Sequence, residues 1–297
     1  VQTCALPIWP MTSTPTETTA TASDGHRWTL LAHEPVRPRA RLLWLPALGV
    51  AARHYLPLAQ ALATHGVATH LHEWRGNGSS TLRPSRTQDW GYRELLALDL
   101  PASMAALGGD EVPLLLGGHS LGGQLACCLA GQNPDAVSGL WLVASGTPYW
   151  RTFPAPRGWL LPLVYRFLPW LARQQGTLPG RTLGFGGTEA RGLIADWARV
   201  GLSNRYRAAG FDADLEADMA RVRAPACGVV LASDWLAPST SMEALLAKLP
   251  HAPARVVQLD SVALQAPADH FGWMKQPATV AATLATTGLP NEPADKR

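Results

Sequence analysis

Along most of the chain, short apolar runs alternate with longer stretches whose apolar residues recur at helical spacing. That alternation predicts an α/β fold, with a mostly parallel sheet covered by helices on both faces. His26 to His33 alternates apolar and polar positions and reads as an outer strand. Arg41 to Leu48, Val67 to His72, Pro113 to Leu116 and Gly139 to Ala144 are nearly continuous apolar runs, the character of inner strands. Two later runs, Cys227 to Ala232 and Arg255 to Leu259, share it. Helical patterns fill the intervals at Tyr55 to His65, Tyr92 to Leu107, Gly122 to Gly131, Thr240 to Leu249 and Ala278 to Thr287.

One interval breaks the rhythm. From about Thr147 to Arg221, roughly 75 residues contain no convincing strand, too long for a simple connection between two strands of one sheet. Its aromatic residues, among them Trp150, Phe153, Trp159 and Trp170, suggest a helical lid inserted into a core made of 24–146 and 222–297. Inside it, Trp159 to Ala172 is strongly apolar but holds Arg166 and two prolines, and it falls short of the ~20 residues that span a bilayer. Packing of an amphipathic helix onto the domain is the plain expectation. Transient contact with a greasy substrate or a lipid surface is the alternative.

Composition narrows the classes. The 297 residues are 47% hydrophobic and 16% charged, with a net charge of +3, which is globular and leaves no basic stripe for a nucleic acid. Four cysteines are too few for a disulfide scaffold, and Cys127 and Cys128 are neighbours in an apolar stretch, so reduced thiols and a cytoplasmic setting are expected. Val1 to Ile8 (VQTCALPI) resembles a translated sequencing adapter, which would place the native start at Met11 and remove Cys4. The stretch has no positively charged opening segment and is broken by Pro7 and Pro10, so it is not expected to act as a secretory signal. Thr12 to Ser23 has almost no large apolar side chain, and residues 1–23 are expected to form a flexible tail.

The sharpest chemical signal is Gly118-His119-Ser120-Leu121-Gly122, directly after an apolar run and before a helical pattern. A serine at a sharp strand-to-helix turn needs small neighbours two residues either side, because a Cβ there would collide with the turn. Its hydroxyl then stands above a helix N-terminus that favours a developing oxyanion. Such a serine needs a base, and the base an orienting acid. Among nine histidines, His270 follows the last strand in a loop containing Gly272. His26, His33, His54, His65 and His251 read as surface or element ends, and His119 leaves the turn in another direction. His70 and His72 share a strand face but lack a third metal ligand at suitable spacing. Asp234 follows the Cys227 strand directly, and Asp260 and Asp269 are its rivals for the acid.

These residues resemble the α/β-hydrolase fold superfamily over nearly all of Leu42 to Thr287. Glu73 to Ser80 (EWRGNGSS) looks like its D-x-R-G-x-G-x-S loop with Glu for Asp, and Asp234 to Pro238 looks like its acid turn. The usual His-Gly after the early strand is replaced by Pro46-Ala47-Leu48-Gly49. The resemblance implies that the backbone N–H groups of Leu48 and Leu121 form the oxyanion hole, a role that needs no particular side chain. The combination is most similar to a bacterial group of α/β hydrolases related to lysophospholipase- and monoglyceride-lipase-like serine hydrolases.

The expected reaction is hydrolysis of a carboxylic ester through an acyl-enzyme, with Ser120, His270 and Asp234 as nucleophile, base and acid. It needs no metal and no cofactor. The aromatic insert favours an apolar acyl or lipid-like small molecule, with His119, Trp150, Trp159 and Trp235 as candidate substrate contacts. Transfer of the acyl group to an alcohol or amine, or a non-catalytic binding protein on the same fold, are the competing readings. Oligomeric state has no signature in the sequence.

Overall fold

A single mixed sheet carries the architecture in the computed structural model, which describes residues 15–108 and 112–289. Its strands are β1 (Thr16–Thr21), β2 (Arg27–His33), β3 (Ala40–Leu45), β4 (Val67–Leu71), β5 (Leu114–His119), β6 (Gly139–Val143), β7 (Ala226–Leu231) and β8 (Ala254–Leu259). They lie in the order β1-β2-β4-β3-β5-β6-β7-β8, with β1 and β2 antiparallel to their neighbours and every other pairing parallel. The helices α1 (Leu56–Ala63), α2 (Leu100–Ala106), α3 (Leu121–Gln132), α4 (Arg157–Gln175), α5 (Arg191–Ser203), α6 (Leu215–Ala220), α7 (Ser239–Leu246) and α8 (Ala278–Gly288) complete the frame.

Both faces of the sheet are covered, which is why its central strands are apolar throughout. Along β3 successive side chains go to opposite sides. Leu42 and Trp44 join a cluster with Tyr55, Trp141, Val229 and Trp273, whereas Leu43 and Leu45 join one with Leu125, Leu140 and Met242.

The amino-terminal expectation is corrected by β1. Residues 16–21 are not a free tail: six residues pair in register with β2, from Thr16 opposite Ala32 to Thr21 opposite Arg27. Threonine-rich composition lacks core-forming bulk, yet β-branched residues suit a pleated edge. Ala20 and Ala22 pack with Trp28 and Leu30, and Leu98, Ala102 and Ala106 complete the cover. The outer strand is therefore β1, and β2 lies one place inward. The adapter-like stretch, Cys4 and Met11 lie outside the described residues.

A second correction concerns His26, which is buried rather than at the surface. Its Nδ1 lies 3.1 Å from Asp99 and its Nε2 lies 2.9 Å from Ser80 Oγ. Ahead of α2 the helical run widens into a π turn at Leu95–Asp99, and Asp99 at its end is fully buried. Asp99 accepts from Arg75 Nε at 2.7 Å and Nη2 at 2.8 Å, while Arg75 also meets Asp24 at 2.7 Å. The pairing satisfies a charge that would be costly to bury alone and ties the 73–80 loop to the β1–β2 hairpin. His33 is also buried.

Between β6 and β7 lies the insert. It contains a short turn at Trp150–Thr152, then α4, α5 and α6, with a two-residue antiparallel ladder joining Leu178–Pro179 to Thr188–Glu189. Helices α4 and α5 pack together, with the Tyr165 and Trp197 rings edge to face at 5.0 Å. The Tyr165 hydroxyl donates to the Pro148 carbonyl at 2.5 Å. Among the described residues no helix is long and apolar enough to cross a membrane.

Candidate active site

Strand β5 ends at His119, and Ser120 follows with φ of 56°, a left-handed conformation that a non-glycine residue adopts only under constraint. The constraint comes from packing. A Cβ on Gly118 would overlap Gly122, and one on Gly122 would overlap the Leu45 carbonyl. Ser120 is held by its N–H to the Val143 carbonyl at 3.2 Å, and its own carbonyl accepts from Ser145 Oγ at 2.7 Å. It stays partly exposed while the helix that follows is buried on nearly every side.

The candidate acid Asp234 follows β7 closely, and the candidate base His270 lies in the segment after β8, beyond a short helical turn at Ser261–Leu264. Asp234 Oδ2 accepts from His270 Nδ1 at 2.7 Å. Because a carboxylate only accepts, this contact places a proton on Nδ1 of the imidazole and leaves Nε2 as the nitrogen able to accept one. The other oxygen of Asp234 accepts from the Leu236 and Ala237 backbone N–H groups at 2.8 and 3.1 Å, which orients the carboxylate. Its rivals serve other bonds. Asp260 accepts from the Ala263 N–H at 2.8 Å, and Asp269 from those of Phe271 and Gly272 at 3.1 and 2.7 Å. Among the described residues no hydrogen bond joins Ser120 Oγ to the His270 ring, and nucleophile–base pairs are often loose without substrate. The residue before the serine brings the two loops together, with the His119 ring centroid 4.8 Å from that of His270.

His119 is therefore not a substrate contact, and that expectation is corrected. It is fully buried beneath the base, between Tyr55, Phe271 and Trp273. The Tyr55 hydroxyl accepts from the Ala47 N–H at 2.9 Å and forms a hydrogen bond with His119 Nδ1 at 2.8 Å. Burial, with the His270 charge adding to it, pushes the His119 pKa well below the ordinary range and keeps the ring neutral.

The 46–49 loop is fastened from two sides. Besides Tyr55, Trp74 Nε1 donates to the Pro46 carbonyl at 2.8 Å. Glu73, at the head of the same glycine-rich loop, accepts from the Ala52 and Ser79 N–H groups at 3.1 and 3.3 Å. Burial raises its pKa. Gly49, at φ of 73°, packs so closely on Gly187 of the insert that a Cβ would overlap the Gly187 nitrogen. Glu189 accepts from the Gly187 N–H at 2.6 Å, and its burial pushes the carboxyl up to about 7. Among the turn and loop hydrogen bonds of the described residues, neither the Leu48 nor the Leu121 N–H donates to a carbonyl.

The aromatic candidates separate. Trp235 is half exposed beside Asp234, with the Arg157 guanidinium 5.3 Å from its ring centroid. A cleft of ≈ 490 Å³ opens there between Phe153, Arg157, Trp235 and Pro238; Asp234 lines it, whereas Ser120 and His270 do not. Trp150 sits in the turn that opens the insert, under Arg151. Trp159 stands 71% exposed on α4. His72 Nδ1 lies 2.8 Å from Ser103 Oγ, and burial lowers its pKa to about 3. His70 faces Glu34 at 3.7 Å. Cys127, Cys128 and Cys227 are buried and unpaired, and burial alone pushes the Cys127 thiol up to about 12.

Residues 36–190 match the family described as serine aminopeptidase, S33. The chain belongs to this hydrolase family. A curated relative, the chloroplastic pheophytinase of Arabidopsis thaliana, is 34% identical over 74 residues, a segment spanning 24% of this hydrolase and only 15% of that protein. Among solved structures, a hydrolase from Pseudomonas aeruginosa superposes with a TM-score of 0.64 at 18% identity, covering 91% of this chain and 97% of that one. A lipase in its open form gives 0.63 at 17%, covering 92% and 97%. A bacterial membrane phospholipase A gives 0.58 at 17%, covering 92% and 85%. Such identities establish a shared fold, and this hydrolase has the α/β-hydrolase architecture.

Tyr55, Trp273 and Glu189 escaped the sequence reading. Tyr55 lies 64 residues from the histidine it meets, and no local pattern announces such a partner.

Proposed function

We propose that this hydrolase cleaves carboxylic esters of an apolar acyl or lipid-like small molecule through an acyl-enzyme on Ser120. The observation that carries the reading is the buried Asp234–His270 pair, 2.7 Å apart, packed on His119, the residue before a serine held at a strained turn. Ser120 Oγ attacks the carbonyl carbon as His270 Nε2 takes its proton. Asp234 holds the ring with its proton on Nδ1 and stabilises the imidazolium. The N–H groups of Leu48 and Leu121, unspent on turn and loop bonds, receive the oxyanion. His270 returns the proton to the leaving alcohol, and water then releases the acid by the same steps.

The insert acts as a lid in this reading. Support comes from its contact with the oxyanion loop at Gly49 and from Arg157 over Trp235 beside the acid. An aromatic lid suits an apolar acyl chain better than a charged peptide. The names of the structural neighbours, a lipase and a phospholipase A, agree with ester cleavage. Unpaired buried cysteines support a reducing, cytoplasmic setting.

A fluorophosphonate probe is expected to label the folded wild type and spare Ser120→Ala. A folded wild type that resists the probe would overturn the proposal. An ester panel of increasing acyl length then measures the pocket, with an optimum beyond short chains expected.

A further inference from the structure

Helix α4 has two apolar faces. Gly158, Tyr165, Leu168, Pro169 and Ala172 are buried toward the rest of the insert. Trp159, Leu160, Leu163, Val164, Phe167 and Trp170 point elsewhere, with exposures from 38% at Val164 to 71% at Trp159. At about 100° per residue these six form one stripe roughly 140° wide, on the side away from the buried set. No other described segment covers it, and proteins that work alone in water rarely leave such a stripe uncovered.

The charges around the stripe indicate what covers it. Arg157 lies on one border of the stripe and Arg166 and Arg173 on the other, at the same helical spacing. From Thr147 to Thr188 the chain has five arginines and no aspartate or glutamate, although the whole protein has a net charge of only +3. Two copies meeting through this face would bring their arginines together with no acid on the helix to offset them. An anionic lipid surface offers both an apolar layer and negative charge. Tryptophan suits the boundary between headgroups and acyl chains, and arginine can bury its stem while its guanidinium reaches phosphate.

We propose that the outer face of α4 docks this protein onto an anionic phospholipid surface, with the helix lying flat in the headgroup layer. Its amino-terminal end is Arg157, stacked over Trp235 next to Asp234, so docking brings the mouth of the site to the lipid. The surface does not depend on the chemistry at Ser120.

The test uses full-length Ser120→Ala, which spares the lipid, with vesicles of phosphatidylglycerol and phosphatidylcholine. Co-sedimentation is expected with the mixed vesicles and should weaken more than tenfold on pure phosphatidylcholine, or with Arg166→Gln and Arg173→Gln together. Tryptophan emission should shift blue and be quenched by brominated acyl chains. In the wild-type background, Leu163→Glu with Phe167→Glu and Trp170→Glu should abolish vesicle binding while leaving the melting temperature and the fluorophosphonate reaction unchanged. Folded protein that ignores anionic vesicles at low salt would overturn the proposal. So would a dimer in solution that the triple substitution dissociates, because the stripe would then be covered by a second copy. Probe labelling without vesicle binding refutes docking alone, and vesicle binding without labelling refutes the catalytic reading alone.

Discussion

Helices α3 and α4 are both rich in apolar residues, and they meet opposite surroundings. Around α3, every residue from Leu121 to Gly131 is buried, and its glycines admit the neighbouring backbone. On the longer α4 only five residues are buried, while a second apolar face is turned outward. Helix α4 carries three arginines where α3 has no charged residue, and position separates the two further. The first helix lies against the sheet, and its close packing holds Ser120 rigidly, as the proposed chemistry requires. The second packs one face on the rest of the insert, and its spare apolar surface is available for something outside the protein.

The contrast can be broken at several points. The largest expected effect belongs to the packed edge. Asp234→Asn should lower kcat by on the order of 10³ to 10⁴, because the amide favours the wrong imidazole tautomer, with the fold retained by circular dichroism. Equal activity would show that the packed edge is not where the chemistry lies. Next comes stability. Leu125→Ala in α3 should cost about 2–5 kcal/mol, whereas Leu163→Ala in α4 should change it by less than about 0.5 kcal/mol, both read by urea unfolding. Similar costs would mean that the outer face of α4 is covered in solution.

The smallest effect sits where insert and core touch. Glu189 has its pKa raised to about 7 by burial, above the ordinary value near 4.5. The folded state therefore holds its proton more tightly than the unfolded state, and the group costs stability as pH rises through that window. Glu189→Gln keeps an acceptor for the Gly187 N–H and removes the cost. Its gain in melting temperature over wild type should be a few degrees at pH 8 and vanish at pH 4. A gain independent of pH would contradict the buried-acid account.

Much of this was legible in the sequence because it is local. The glycines around Ser120 report a close approach within a few residues, and the apolar runs of the central strands report burial on both faces. Asp234 could be singled out because it follows a strand directly. What escaped was non-local. Strand β1 has threonines where a core strand would have valines, and only its register against β2 identifies it. His26 finds Asp99 73 residues away, and the π turn that precedes α2 adds one residue to a helix whose apolar period barely registers it. His119 read as a polar residue near the site because nothing local announces Tyr55. The apolar character of α4 was visible, but which of its two apolar faces would find a partner inside the protein was not.

The central claim is a covalent acyl intermediate on Ser120, and intact-mass analysis during turnover of an activated ester tests it most directly. The account predicts a transient adduct of one acyl group, mapped by peptide digestion to the segment containing Ser120. Ester turnover with no adduct under any condition, or an adduct on a residue other than Ser120, would contradict it.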